Sequence, residues 1–248
     1  MKNRVEIKTE AKALLRTARV NPLLMTLIVL AIAYILNTIT TLLQTGSLFF
    51  SGQFLSAYME AITSGDMDAL MALVASMPAS SMPATFFSIL VSLFMTVLNG
   101  GYFIYCMGVR QGLEMPWSSL LDGLSVAGKL IWCSILMGVK IVLWTMLLWV
   151  PGIVAAYRYR FAIYNILTDS SLSASQAIRL SCQQTRGMKG DLFVLDLSFF
   201  GWNLLSLFTF GLLDIWLTPY TAMCDLAYFE EGQRRVGRSP YGAPVGEL

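Results

Sequence analysis

From Val20 to Val109 the chain carries no lysine or arginine, and its only charges there are Glu60, Asp66 and Asp68. Six basic residues crowd the first twenty positions instead: Lys2, Arg4, Lys8, Lys12, Arg16 and Arg19. Within the cation-free stretch stand two apolar runs long enough to cross a bilayer, since a helix rising about 1.5 Å per residue needs about 20 residues to span the hydrocarbon. With 56% hydrophobic and 13% charged residues over 248 positions, the chain is too apolar for an ordinary soluble domain. The fold class expected is all-α: a polytopic membrane bundle of six transmembrane helices, preceded by an amphipathic interfacial helix.

The spans are expected at about residues 22–43, 84–109, 130–150, 153–168, 192–213 and 215–229, inside a membrane domain over 22–230. Residues 1–21 form the interfacial helix. Arg4, Lys8, Lys12 and Arg16 recur every four positions, opposite Ile7, Ala11, Leu14, Leu15 and Ala18, so the stripe is placed on anionic lipid head groups. The first span is read as uncleaved, because its apolar run exceeds a signal core and no small-x-small site follows closely. Residues 44–83 are punctuated by glycines and prolines and their only charges are acidic, and Phe54 to Ile62 and Met67 to Val74 read as short helices of an outer cap. Pro151-Gly152 reads as the break of a tight outer hairpin. In the polar insert after Asp169, Ser173-x-x-Gln176 can cap a cytoplasmic helix over 174–186, with Gly187 as its stop. Residues 231–248 are a cytoplasmic tail.

Of the 17 lysines and arginines, 14 fall in segments that this topology puts inside, and the remaining three, Lys140, Arg158 and Arg160, fall in spans. The rule that basic loops stay inside therefore favours an even number of crossings with both termini cytoplasmic.

No catalytic residue, cofactor or metal site is expected. The chain has no histidine, which removes the commonest general base and metal ligand, and its four cysteines, at 106, 133, 182 and 224, show no paired spacing. Phosphate loops and nucleophile triads are absent, and nothing points to nucleic acid. Partners are expected to be the bilayer, anionic head groups and other membrane proteins.

The residues that could carry function are the charges inside spans: Lys140, Arg158, Arg160, Asp196 and Asp225. Lys140 and Asp225 each lie eleven residues past a charge at a span entrance, about 16 Å deep, where they could meet. Arg160 is also within reach of Asp225, whereas Arg158, two residues away, points elsewhere. Asp196 could pair with the Arg179, Arg186 and Lys189 region or with a neighbouring helix. Two readings stay open: structural ion pairs, or a pathway for an ion or small solute. Gly100, Gly101, Gly108 and Gly201 are expected to let helices approach closely, and Trp117, Trp132, Trp149, Trp202 and Trp216 to anchor span ends.

The run PGIVAAYRYRFAIYNILTDSSLSASQAIRLSCQQTRGMKGDLFVLDLSFFGWNLLSLFTFGLLDIWLTPY, with NRVEIKTEAKALL near the start, resembles the bacterial integral membrane family called domain of unknown function 975. The likeness is carried by Pro151-Gly152-Ile153, Asp169, Ala177-Ile178, Ser181, Met188-Lys189-Gly190, Leu197-Ser198-Phe199, Gly201-Trp202 and Pro219-Tyr220. It covers the N-terminal helix and roughly 151–229, and residues 44–83 show none. The Pro-Gly hairpin followed by an Ala-x-x-x-Ser helix is also similar to the membrane domain attached to some glycerophosphodiester phosphodiesterases. These resemblances imply a non-catalytic membrane module of the bacterial cytoplasmic membrane and settle class, not activity; the charges and their placement leave a scaffold or accessory as the leading expectation, with a small-solute or ion transporter or channel as the alternative.

Overall fold

The computed structural model describes residues 4–17, 21–45, 52–75, 82–209, 211–239 and 241, and every regular element among them is helical. Contacts divide the chain into two compact units: Met1–Leu30 with Thr96–Leu248, and Ala31–Met95. In order, the helices are α1 (Arg4–Thr17), α2 (Pro22–Thr45), α3 (Gly52–Ser64), α4 (Met67–Ala75) and α5 (Met82–Arg110). A run of 3-10 turns over Trp117–Val126 leads into α6 (Ala127–Leu147), α7 (Trp149–Tyr159) and α8 (Ala162–Thr168). Last come α9 (Ala174–Gln184), α10 (Lys189–Phe208) and α11 (Asp214–Arg235).

Among the described residues, four helical stretches are long and apolar enough to cross a membrane: Pro22–Gln44, Met82–Arg110, Trp117–Leu147 and Lys189–Phe208. That content is compatible with a membrane-embedded chain. α7 and α8, of 11 and 7 residues, are individually too short, and α11, at 22 residues, carries too many charges.

In the smaller unit several threonine hydroxyls bond within their own helix. Thr38, Thr40 and Thr41 donate their hydroxyls to the carbonyls of Tyr34, Leu36 and Asn37 four residues back, at 2.8, 2.8 and 2.9 Å. A threonine stripe can thus sit in an apolar helix without an unpaired hydroxyl. Gly65, at φ +67°, ends α3, and the Asp66 carboxylate accepts from the Ala69 amide at 3.0 Å to cap α4.

In the larger unit, α5 and the 3-10 run cross at two glycines. A Cβ on Gly101 would lie 1.9 Å from the Leu120 carbonyl oxygen, and one on Gly123 would lie 2.4 Å from that of Val97. Gly100 and Gly108 are similarly tight against Leu130 and Met115, but Gly201 has nothing within 4 Å, so the expected close approach at Gly201 is absent. α6 to α9 share a core that includes Leu130, Cys133, Ala162, Ile166 and Ala177.

The hairpin differs from expectation in where it turns. The chain reverses at Leu148, whose backbone is extended at φ −161° and ψ 145°, while Pro151 and Gly152 lie in the first turn of α7. Proline is tolerated there because that turn's amides have no helical partner. Glycine is needed because a Cβ would stand 2.8 Å from the Thr145 backbone at the end of α6. The span expected over 153–168 is likewise broken, at Arg160-Phe161, with neither proline nor glycine present. α9 satisfies the break from outside: Ser181 Oγ accepts from the Phe161 amide at 3.1 Å and donates to the Arg158 carbonyl at 2.8 Å.

α9 opens with a reciprocal capping box between Ser173 and Gln176 and is followed by Gly187 at φ +78°. α10 stops at Phe208, short of residue 213, where Gly211 turns left-handed and Ser206 Oγ donates to Asp214 at 2.6 Å. α11 runs on to Arg235, and Gly232 and Gln233 are buried, so the first residues expected in a free tail belong to the bundle.

Candidate functional site

The break after α7 places Arg160 between two other helices. Its Nη1 and Nη2 donate to the two Asp196 oxygens on α10 at 2.6 and 2.8 Å. Nη2 also donates to both Asp225 oxygens on α11 at 2.8 and 3.0 Å. Tyr157, three residues earlier and on the same face of α7, donates its hydroxyl to Asp196 at 2.8 Å. The Arg160 and Asp225 side chains are 22% and 19% exposed and Asp196 is 37% exposed, so the group is shielded but not sealed. It contains one more carboxylate than guanidinium. Such a group can lock three helices in register or, by its surplus carboxylate, hold a proton or small cation.

Of the five charges singled out from sequence, the structure therefore joins Arg160, Asp196 and Asp225. The expected meeting of Lys140 with Asp225 does not occur: Arg160 occupies Asp225, and Lys140 Nζ lies 6.0 Å over the ring of Tyr159. Asp196 turns to the neighbouring helix and makes no ion pair with Arg179, Arg186 or Lys189. Arg158 makes no ion pair among the described residues, and its carbonyl serves Ser181. Pro219 and Tyr220 are buried in α11, and the Tyr220 ring packs against Trp216 and Phe199 at 4.8 and 5.4 Å. Trp202 stands 6.3 Å from Trp216.

The basic stripe of α1 is split. Ile7 and Ala11 are buried, Lys8 donates to Ser198 at 2.7 Å and lies over Phe199, and Lys12 lies over Tyr220. Arg4 and Arg16 are exposed. Two of the four residues assigned to head groups thus contact α10 and α11.

Two polar clusters escaped the sequence reading. Arg110, whose side chain is 2% exposed, donates to both Glu230 oxygens at 2.6 and 3.0 Å, to Glu10 at 3.2 Å and to the Met223 carbonyl at 3.1 Å. Tyr241 donates to the same Glu230, and burial, with that carboxylate behind it, pushes its phenol up. In sequence Arg110 is merely the first cation after a span, and nothing local names its partner. The second cluster joins Asn165, Gln184 and Gln233, all buried: Asn165 and Gln184 exchange amide hydrogen bonds at 2.9 and 2.8 Å, and Gln233 donates to Asn165 at 3.2 Å. Its available signal was a lone amide in the apolar run AIYNILT.

Just after α8, Asp169 accepts from Ser171 and from Arg238, the latter at 3.1 Å. The Ser171 hydroxyl holds the carboxyl below the usual carboxylate range, with partial burial opposing and the Ser171 amide and Arg238 assisting. Among the described residues no group of three or more histidines, cysteines or acids could hold a metal ion.

No curated protein and no solved structure matches the chain. Residues 146–235, which contain all of α7 to α11 and with them Arg160, Asp196 and Asp225, match the family described as Protein of unknown function (DUF975).

Proposed function

We propose that the chain is a non-enzymatic module of the bacterial cytoplasmic membrane, a scaffold or accessory with six spans and both termini in the cytoplasm. In this reading α7 with α8 forms the fourth span and α11 the sixth, each too short or too polar alone and held by its neighbours. The observation that carries it is the closure of the Arg160 group, in which a guanidinium from α7 is bound by carboxylates from α10 and α11. Charges committed to each other at these distances fix helix register and leave no need of a solute to explain them.

The test replaces the group in stages, with thermal unfolding followed in detergent. Arg160→Met alone leaves two carboxylates facing each other and is expected to cost about 3–5 kcal/mol, whereas Arg160→Met with Asp196→Leu and Asp225→Leu recovers most of the loss. If Arg160→Met leaves the unfolding midpoint unchanged, the structural role is lost. A second reading, a small-solute or ion transporter, is favoured by the surplus carboxylate beside a broken helix. It predicts flux in proteoliposomes that Asp225→Asn abolishes while the fold survives.

A further inference from the structure

Six acids of the larger unit are committed to particular cations, so the cations outside these pairs are informative. Asp196 and Asp225 take Arg160, Glu230 and Glu10 take Arg110, Asp169 takes Arg238, and Glu231 faces Arg234 and Arg235. Arg179, Arg186 and Lys189 make no ion pair among the described residues, although Asp191 stands two positions beyond Lys189 and Arg235 lies beside Gly187. They follow one another along α9, the turn after it and the start of α10. α9 buries Ala174, Ala177, Ile178, Ser181 and Gln184, and exposes Ser175, Gln176, Arg179 and Gln183, with no carboxylate on the exposed face. Arg186 is exposed in the turn that follows, and Lys189 is the first residue of α10, a helix of membrane-crossing length. Arg186 and Lys189 therefore stand within one turn of the start of a helix long and apolar enough to cross a bilayer.

We propose that the outer face of α9 and the α9–α10 turn bind the head group of an anionic phospholipid, with Arg179, Arg186 and Lys189 as its cations. The inference rests on the six-span reading, which puts this turn at the cytoplasmic surface. Guanidinium groups suit phosphate oxygens because they offer paired donors, and an ammonium adds a point charge. The α1 stripe is a weaker candidate, because Lys8 and Lys12 are engaged with Ser198, Phe199 and Tyr220.

The purified chain in detergent is mixed with phosphatidylglycerol or phosphatidylcholine, and bound lipid is counted by native mass spectrometry. Wild type is expected to prefer phosphatidylglycerol, and Arg179→Gln/Arg186→Gln/Lys189→Gln to lose about fivefold of that preference per cation removed. Arg4→Gln/Arg16→Gln keeps the preference, as does Arg179→Lys/Arg186→Lys. A triple variant that still prefers phosphatidylglycerol, or loss on the α1 change instead, overturns the site. So does glycerol 3-phosphate if it competes as well as the lipid does. Should the triple variant unfold early in phosphatidylcholine, the single Arg179→Gln, whose side chain is exposed, carries the comparison. The six-span orientation is read separately: Ser175→Cys in a Cys182→Ser background must resist a membrane-impermeant maleimide in intact cells. Its labelling would sink the topology without altering lipid counts in detergent.

Discussion

Arg110 and Arg160 meet the same requirement, a guanidinium withdrawn from water, with different degrees of enclosure. Arg110 is the more deeply held, with a carboxylate on two nitrogens, a second carboxylate and a carbonyl. Glu230→Gln is expected to lower stability by about 3–5 kcal/mol, because it leaves most of a buried charge uncompensated; an unfolding midpoint within error of wild type would show that Glu10 alone suffices. Arg110→Lys should recover little, since an ammonium cannot reproduce the fork. Asp169 supplies a pH test. Its carboxyl titrates lower in the folded chain than in the unfolded one, so its contribution is present above the unfolded value of about 4 and disappears as pH falls through the folded value. Asp169→Asn should therefore lower the unfolding midpoint at pH 7 and converge with wild type as pH falls through the folded value. A gap that persists in acid would assign the loss to something other than charge.

At the scale of elements, two glycines that look alike in sequence separate cleanly. Gly152→Ala must push α7 away from Thr145, whereas Gly201 faces open space and Gly201→Ala should be neutral or stabilise by up to about 1 kcal/mol through helix propensity. Unfolding curves of the two variants side by side check this, and equal losses would refute the packing argument. Ser181→Ala should cost about 1–3 kcal/mol by orphaning the Phe161 amide and leaving the Arg158 carbonyl only the longer hydrogen bond from Thr185, at 3.5 Å. Helices whose limits are written in local chemistry, such as α9 with its capping box and Gly187, are legible in the sequence. The break at Arg160-Phe161 is not, because what permits it is a serine twenty residues away. The turn at Leu148 was misplaced for the converse reason: Pro151-Gly152 resembles a breaker, but serves as a helix start and a close contact.

For the whole molecule, apolar runs over Pro22–Gln44, Met82–Arg110 and Lys189–Phe208 are evident from composition alone. Which charges lie among them is evident too. Their pairing is not, since it depends on which helices are neighbours, and depth along each span could not choose Arg160 over Lys140 as the partner of Asp225. The same neighbour relations bear on biogenesis. α11 is too polar to be retained in a bilayer by partition alone, and its Asp225 emerges 65 residues after Arg160. Under the six-span topology the last helix can be admitted only once α7 is in place to receive it. Under that topology synthesis would have a fixed order, and the guanidinium of Arg160 would act as a retention signal read by the chain itself. Arg160→Met should accordingly leave residues after Asp214 accessible to protease in freshly inserted chains, even where the earlier spans are correctly placed.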